Sequence, residues 1–181
     1  FENAAVVHVE GYLLFNRELM YAVLKAARNA GAKISLDLAS FNVVEESRDL
    51  LDDIVAEYID ILIANEDEAR AFTGHADEER ALDVLSQNAE IAVLKIGPRG
   101  SVISGYGETV TVAPMGDGTA VDTTGAGDLW AAGFLFGMVN GYGFEKSGAL
   151  ASACGYEVCQ IVGAKIPEEG WQRIKKQMTA S

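Results

Sequence analysis

Cysteine and histidine are scarce in this chain of 181 residues, which contains two of each. Cys154 and Cys159 form neither a C-x-x-C pair nor a disulfide framework, so we expect buried free thiols in a reducing compartment. His8 and His75 lie too far apart in the sequence to suggest a local metal motif. A zinc site is therefore not expected.

Basic residues are also few, with 14 Lys and Arg against 27 Asp and Glu and a formal net charge of −13. This balance argues against nucleic acid or an anionic membrane as the main partner, because clustered Lys and Arg bind phosphate backbones. An anionic ligand remains compatible where backbone N–H groups supply the local positive field. No apolar run approaches the roughly 18–20 residues that span a bilayer, and no signal peptide is visible. We expect a cytoplasmic protein.

Apolar residues make up 49% of the chain, enough for one globular domain with its own core. Near-continuous apolar strands alternate with helical segments, which predicts parallel pairing in an α/β sheet. Ser101–Ser104 and Thr109–Ala113 flank Gly-Tyr-Gly and predict a β-hairpin. We predict a single α/β domain over residues 1–181. Because the apolar run Ala4–Val9 comes at the very start, we expect a piece cut from a longer protein.

Several predicted helices carry recognisable ends. Asn16 is positioned to cap a helix that ends before Gly31, and Asp77 to cap another through about Asn88. An acidic amphipathic helix is predicted over Val44–Tyr58. A further helix over about Ala126–Asn140 is apolar almost all round and is expected to be buried. The last two helices are predicted over about Phe144–Gln160 and Glu168–Met178.

The most informative stretch is Asp122-Thr-Thr-Gly-Ala-Gly-Asp128, immediately before the apolar helix. Its glycines let the backbone approach a ligand closely, and unpaired N–H groups at a helix start suit a phosphoryl group. Asp128 is placed to accept the proton of an attacking hydroxyl. The local alternative is an ordinary helix start with a favourable acid in its first turn.

This stretch, continued through Ala132-Gly133-Phe134, resembles the second signature of the ribokinase, or PfkB, family of carbohydrate kinases. Asn65-Glu-Asp-Glu68 is similar to the NxxE motif of that family, and Lys95-Ile-Gly-Pro-Arg-Gly100 to its nucleotide-binding turn. Gly163, Ala164 and Pro167 resemble its closing segment. The resemblance implies a three-layer α/β/α sandwich with a mostly parallel sheet and a β-hairpin, whose N-terminal part and lid are missing here.

The resemblance implies a role for each matched residue. The catalytic positions are Asp128 as base, with the amides of Gly125, Ala126 and Gly127 as anion hole. The nucleotide-binding positions are Asn65, Glu68, Lys95, Gly97, Gly100 and Thr123. Glu68 would organise Mg²⁺ through water. A monovalent cation such as K⁺ would be lined by Asp122, Thr124, Val158 and Gly163.

Each of these assignments has a local alternative. Asn65 and Glu68 also fit a capping box, in which each side chain accepts a hydrogen bond from the other residue's backbone N–H. Gly97–Gly100 reads equally as a β-turn, and Lys95 as a solvated surface lysine. Trp130 and Phe134–Phe136 could be mistaken for a ligand box, but their helical spacing favours the core.

The resemblance therefore implies an ATP-dependent phosphotransferase acting on a hydroxyl of a sugar or nucleoside, with ATP, Mg²⁺ and K⁺ as cofactors. Asp37-Leu-Ala-Ser-Phe-Asn42 leans toward adenosine-kinase-like members. A homodimer is one assembly it allows, and the fragment alone could be inactive. The alternative is a non-catalytic nucleotide-binding or regulatory module that retains the fold. A Rossmann-type dehydrogenase is set aside, because GxGxxG is missing after the first strand.

Overall fold

A six-stranded sheet in sequence order is the frame of the computed structural model, which describes residues 1–180. The strands are β1 (Val6–Glu10), β2 (Lys33–Asp37), β3 (Ile61–Asn65), β4 (Ile91–Lys95), β5 (Ser101–Gly105) and β6 (Glu108–Val112). The pairs β1–β2, β2–β3 and β3–β4 are parallel. The α/β prediction is thus confirmed.

The predicted hairpin joins β5 and β6 through Tyr106 and Gly107, whose φ angles are 50° and 83°. Two successive positive φ angles are typical of the two-residue turns that match the twist of antiparallel strands. The hairpin prediction is confirmed.

Eight α-helices lie within the described residues. They are α1 (Arg17–Asn29), α2 (Phe41–Glu46), α3 (Arg48–Tyr58), α4 (Glu66–Thr73), α5 (Glu78–Asn88), α6 (Ala126–Val139), α7 (Phe144–Cys159) and α8 (Glu168–Ala180). The predicted caps Asn16 and Asp77 accept hydrogen bonds from Leu19 and Arg80. Among the helices of residues 1–180, none combines the length and the apolar character that a membrane-spanning segment needs.

The prediction of one helix over Val44–Tyr58 is wrong, because the structure contains two helices there. Ser40 starts α2 by accepting a hydrogen bond from the Val43 amide. Ser47, with φ −111° and ψ 16°, leaves the helical conformation and separates α2 from α3. The Ser47 side chain makes no capping hydrogen bond there, so the break lies in its backbone conformation, which serine, a weaker helix former than Ala or Leu, tolerates.

The contacts group the chain into two compact units. The first comprises Phe1–Ile96 and Val102–Thr109, and the second comprises Gly97–Ser101 and the chain from Val110 onward. The core of the first unit is formed by apolar side chains of the parallel strands and helices α1 to α5. A smaller cluster in the second unit contains Leu150, Ala153, Cys154, Val158, Ile166 and Ile174.

Helices α6 and α7 of the second unit pack closely. A Cβ atom on Gly133 would lie 2.9 Å from the Ala151 Cα atom, so only glycine permits this approach. Trp130 and Phe134 are buried as predicted and stack with ring centroids 5.4 Å apart. The prediction that Phe136 belongs to the core is wrong, because its side chain is 58% exposed. A helix that is apolar all round carries no signal for which face is covered.

The two cysteines also differ in burial. Both are free, and Cys154 is buried as expected, whereas Cys159 is only partly buried. Burial raises the pKa of the Cys154 thiol to about 11, so this side chain is an inert apolar group at neutral pH.

Candidate functional site

Polar residues end all four parallel strands of the first unit. Glu10, Asp37, Asn65 and Lys95 are the last residues of β1, β2, β3 and β4, and the register pairs Glu10 with Asp37 and Asn65 with Lys95. In open parallel sheets, ligands bind outside the carboxyl ends of the strands. This row, which we call the strand-end cluster, is the first candidate site.

Asn65 and Glu68 form the predicted capping box at the start of α4. The Asn65 side chain accepts from the Glu68 amide at 2.9 Å, and Glu68 Oε2 accepts from the Asn65 amide at 2.7 Å. The Asn65 Nδ2 atom also donates to Glu68 Oε1 at 2.6 Å. The capping interpretation is confirmed, and both carboxylate oxygens of Glu68 are engaged within it.

Glu68 is a buried carboxyl group, with only 3% of its surface exposed. Burial raises its pKa from 4.5 to about 7, because desolvation penalises the charged form. The Asn65 amide and Lys95 oppose this shift by stabilising the carboxylate, while Asp37 and Glu10 add to it. Glu68, in α4, therefore interacts electrostatically with the strand-end cluster.

Lys95 is not the solvated surface lysine of the alternative interpretation. Its Nζ atom lies 2.6 Å from Asp37 Oδ2, and the two side chains are 15% and 7% exposed. The same Asp37 carboxylate accepts from the Ala39 amide at 3.2 Å. The pair places one positive charge among the carboxylates at the ends of the strands.

The strand-end cluster does not form a ready cage for a directly bound metal. Within residues 1–180, no group of three or more His, Cys, Asp or Glu side chains could hold a metal ion. Mg²⁺ commonly keeps several waters and takes one or two carboxylates plus substrate phosphates. The acidic residues present fit that water-mediated mode and do not fit an all-protein site.

The second candidate site is the loop 122–128 of the second unit, which we call the glycine loop. Asp122 Oδ1 accepts from the Thr124 amide at 2.9 Å and from the Thr124 hydroxyl at 2.7 Å. Asp122 Oδ2 accepts from the Gly163 amide at 2.9 Å. These bonds, that of Gly163 above all, hold the pKa of Asp122 below its usual range.

Gly125 sets the path of the chain into α6. Its φ angle is 78°, in the left-handed region, and a Cβ atom there would lie 2.6 Å from the Ala164 Cβ atom. Both the conformation and the close contact therefore require glycine. The backbone conformation at the start of α6 therefore depends on glycine at position 125.

At the start of α6, backbone amides lie next to the exposed side chain of Asp128. The Ala126 amide donates to the Thr123 carbonyl at 3.1 Å, so this amide is engaged by the turn itself. Gly127 and Asp128 lie in the first turn of α6, where amides have no carbonyl partner within the helix. The Asp128 side chain is exposed. An anion at this helix start would meet amides, the positive end of the helix dipole and the carboxylate of Asp128.

The turn from Gly97 to Gly100 belongs to the same unit. Gly97–Arg99 forms a short 3₁₀ turn, and Gly97 and Gly100 have φ angles of 53° and 102°. A Cβ atom on Gly100 would collide with the Val112 carbonyl oxygen. The β-turn interpretation of these glycines is supported, and a role in nucleotide binding remains a prediction.

Three of the four predicted cation-lining residues come together through hydrogen bonds, namely Asp122, Thr124 and Gly163. Val158 is fully buried in α7, and its carbonyl accepts from the Ile161 amide at 3.4 Å. Because the Asp122 carboxylate already faces N–H and O–H donors, a cation here would rely on backbone carbonyl oxygens.

Sequence reasoning missed Glu10 as a member of the strand-end cluster and missed Asp37 as the partner of Lys95. A usable signal exists, because each lies at the polar end of an apolar strand, and parallel strands present their carboxyl ends at one edge. Thr123, predicted to contact nucleotide, is exposed, and its carbonyl serves the turn.

Comparison with known proteins identifies relatives over nearly the whole chain. The model of the pfkB family of carbohydrate kinases matches residues 1–170. An ATP-dependent 6-phosphofructokinase from Thermoanaerobacterium thermosaccharolyticum is 32% identical, over 91% of this chain and 53% of the relative. The chain thus spans about half the length of the curated relatives it matches.

Solved structures agree with this result. Adenosine kinase from Sinorhizobium meliloti is 29% identical with a TM-score of 0.89, covering 97% of this chain and 54% of that chain. A candidate ribokinase II from E. coli, solved with ATP and Mg²⁺, shares the fold at 23% identity and a TM-score of 0.82, covering 98% of this chain and 59% of that chain. The ribokinase-like fold is therefore confirmed, and the chain belongs to the pfkB family of carbohydrate kinases.

Proposed function

We propose that this chain carries the ATP-binding and phosphoryl-transfer residues of a kinase that phosphorylates a hydroxyl group of a sugar or nucleoside. The observation that carries the proposal is the glycine loop, where a left-handed Gly125 leads into α6 and an exposed Asp128 lies in its first turn. Family membership supports the same reaction class.

The proposed chemistry balances as a direct displacement. The hydroxyl oxygen of the acceptor attacks the γ-phosphorus of ATP, the new O–P bond forms, and the bond to the bridging oxygen breaks to release ADP. Asp128 accepts the hydroxyl proton, while amides of Gly125, Ala126 and Gly127 are proposed to stabilise the charge on the phosphoryl group. Since the Ala126 amide already donates to Thr123, we expect the Gly127 amide to contribute more.

Separate tasks are proposed for the other predicted residues. Glu68, which is hydrogen-bonded to Asn65 of the strand-end cluster, would organise hydrated Mg²⁺, and bound Mg²⁺ supplies positive charge to the nucleotide phosphates. Asn65, Lys95, Gly97, Gly100 and Thr123 are proposed to contribute to nucleotide binding. The ATP and Mg²⁺ bound to the E. coli structural neighbour support this cofactor pair.

The acceptor class is proposed from the relatives. One named relative is a 6-phosphofructokinase and a structural neighbour is an adenosine kinase, so both a sugar and a nucleoside are candidates. The segment Asp37–Asn42 favours the nucleoside. Phosphotransfer to adenosine and to fructose 6-phosphate, measured side by side, distinguishes the two.

The decisive experiment is Asp128→Asn in the product of the complete coding sequence, with Asp117→Asn as the matched control. Asp117 is another loop aspartate of the second unit, and its side chain bonds only locally, to Thr119. We expect Asp128→Asn to lower kcat by about a thousandfold while ATP affinity stays within about threefold. Retained turnover would reject Asp128 as the base.

The alternative, a non-catalytic nucleotide-binding module, predicts a different result. ATP–Mg²⁺ would then bind in isothermal titration, yet the unsubstituted protein would transfer no phosphoryl group to any acceptor tested. Measuring binding and transfer on the same preparation separates the two functions.

Three further proposals follow from the resemblance. K⁺ would be held beside the glycine loop by backbone carbonyls, and tighter ATP binding in potassium than in tetramethylammonium chloride would support it. A homodimer is tested by sedimentation equilibrium. A cytoplasmic location is tested by fractionation of the source cells.

A further inference from the structure

The glycine loop is tied to the segment between α7 and α8 at several points. The Cys159 carbonyl accepts from the amides of Val121 at 2.8 Å and Asp122 at 3.3 Å. The Gln160 side chain donates to the Thr119 carbonyl at 2.9 Å. These bonds fix residues 119–122, which precede the glycines of the loop, against the end of α7.

Asp122 supplies a further tie, through its side chain and nearer the glycines. One carboxylate oxygen binds the amide and hydroxyl of Thr124, which orients the residue just before Gly125. The other oxygen binds the Gly163 amide, one residue before the Ala164 side chain that lies against Gly125. A single carboxylate thus joins both chain segments that enclose Gly125.

We propose that Asp122 is a positioning residue that holds the glycine loop in its phosphate-binding shape by joining Thr124 to Gly163. This inference rests on the proposed function, because it assigns Asp122 a task in the binding of ATP. Amides stabilise an anion only when their N–H groups are already aimed at its position. The bond to Gly163 supplies that preorganisation.

Asp122→Asn cuts this link selectively. Asparagine is isosteric and keeps one carbonyl oxygen. The amide orientation that retains both Thr124 bonds is favoured over the one that retains the single Gly163 bond, and it turns the NH₂ group toward the Gly163 amide, so donor faces donor. The backbone bonds to Cys159 remain, which favours a folded variant. The matched control is Asp117→Asn, which removes the same charge from an Asp-x-Thr turn whose bonds to Thr119 both use Oδ1.

The first measurement is the ¹H–¹⁵N spectrum of this chain, without nucleotide. In Asp122→Asn we expect the Gly163 amide proton to shift upfield and to exchange faster with solvent, because its charged acceptor is lost. In Asp117→Asn the chemical shift and the exchange rate of the Gly163 amide proton should not change. An unmoved Gly163 resonance in a folded Asp122→Asn chain would disprove the link itself, whatever the protein binds.

The second measurement is isothermal titration of the same proteins with ATP and Mg²⁺. Asp122→Asn should bind about tenfold more weakly, as expected for one lost charge-assisted hydrogen bond, and Asp117→Asn should stay within about twofold. Equal affinity of both variants, with the Gly163 shift present, would reject the positioning role while leaving the proposed function intact. Failure of the unsubstituted chain to bind ATP would overturn the proposed function and the positioning role together.

A third variant guards against misfolding of Asp122→Asn. Thr124→Val keeps the shape of the side chain and the Gly163 bond but removes the hydroxyl donor to Asp122. We expect ATP binding weaker by about threefold, between the control and Asp122→Asn. Wild-type ATP affinity in a folded Thr124→Val chain would contradict the proposal, whether or not Asp122→Asn folds.

Discussion

The Lys95 ammonium group and the Asp37 carboxylate form an ion pair of 2.6 Å between the ends of β4 and β2. The intervening strand β3 ends in Asn65, which caps the helix that carries Glu68. Three parallel strands therefore deliver a cation, a carboxylate and a buried carboxyl group to one edge of the first unit. The energetics of this edge can be tested without a substrate.

Removing one partner of the Lys95–Asp37 pair should destabilise the fold. In Lys95→Met we expect the free energy of unfolding to fall by about 3 kcal/mol, because a largely buried carboxylate loses its counterion. Urea denaturation at neutral pH measures the change. Arg70→Met, which breaks the exposed pair with Asp67, is the control and should cost less than about 1 kcal/mol. Equal losses in the two variants would show that burial of the pair is unimportant.

Glu68 should make stability depend on pH in an identifiable window. Its pKa is raised in the folded state, from 4.5 to about 7, so the folded chain holds this proton more tightly than the unfolded chain. The stabilisation is then complete below about pH 4.5 and is lost as pH rises through 7, by up to about 3 kcal/mol.

Unfolding measured from pH 4.5 to 8 in Mg²⁺-free buffer checks this dependence. Glu68→Gln should remove it, whereas Glu79→Gln, an exposed first-turn acid of α5, should leave it unchanged. A wild-type stability that does not fall through this window, or a fall that Glu68→Gln retains in full, would contradict the assignment.

The reciprocal capping box at the start of α4 should contribute more to the free energy of unfolding than the single Asp77 cap at the start of α5. Asn65→Ala removes the acceptor for the Glu68 amide and leaves the buried Glu68 carboxyl without its Nδ2 donor. Asp77→Ala removes only the bond to the Arg80 amide at the exposed start of α5. We expect losses of about 2 kcal/mol and about 1 kcal/mol respectively, measured by urea denaturation. The reverse order would show that the reciprocal bonds add nothing.

Gly125→Ala should destabilise the fold more than Gly141→Ala, although the two glycines have nearly the same φ angle. Gly125 and Gly141 have φ angles of 78° and 76°, but only at Gly125 would the new Cβ meet a neighbour, Ala164. In both variants we expect the free energy of unfolding to fall by about 1 kcal/mol because of the left-handed conformation. In Gly125→Ala it should fall by about 1–3 kcal/mol more because of the overlap with Ala164. Thermal unfolding and ATP titration measure the effects, and loss of ATP affinity is expected only for Gly125→Ala.

Local features of the chain were accessible from the sequence. The caps Asn16, Asn65 and Asp77 each bond to an amide three residues later, so their partners are visible within a short window. The strand pattern predicted the parallel sheet because apolar runs of this length suit strands covered by helices.

Long-range pairing was not accessible in the same way. Lys95 and Asp37 are 58 residues apart, and no local rule pairs one lysine with one of 27 acidic residues. The exposure of Phe136 was missed for a related reason, since burial depends on which neighbours reach that face of α6. The roles assigned to the glycine loop came from the family resemblance and stay predictions.

The link between Asp122 and Gly163 spans 41 residues, and both α6 and α7 lie within that interval. During synthesis, the stretch from Thr123 to Gly127 leaves the ribosome well before its distant partner does. Under the proposed role of Asp122, the final shape of this stretch forms only after two complete helices and the turn beyond them have been made. A nascent chain arrested between α6 and α7 would contain the whole sequence 122–128 but would lack Gly163, the partner of Asp122.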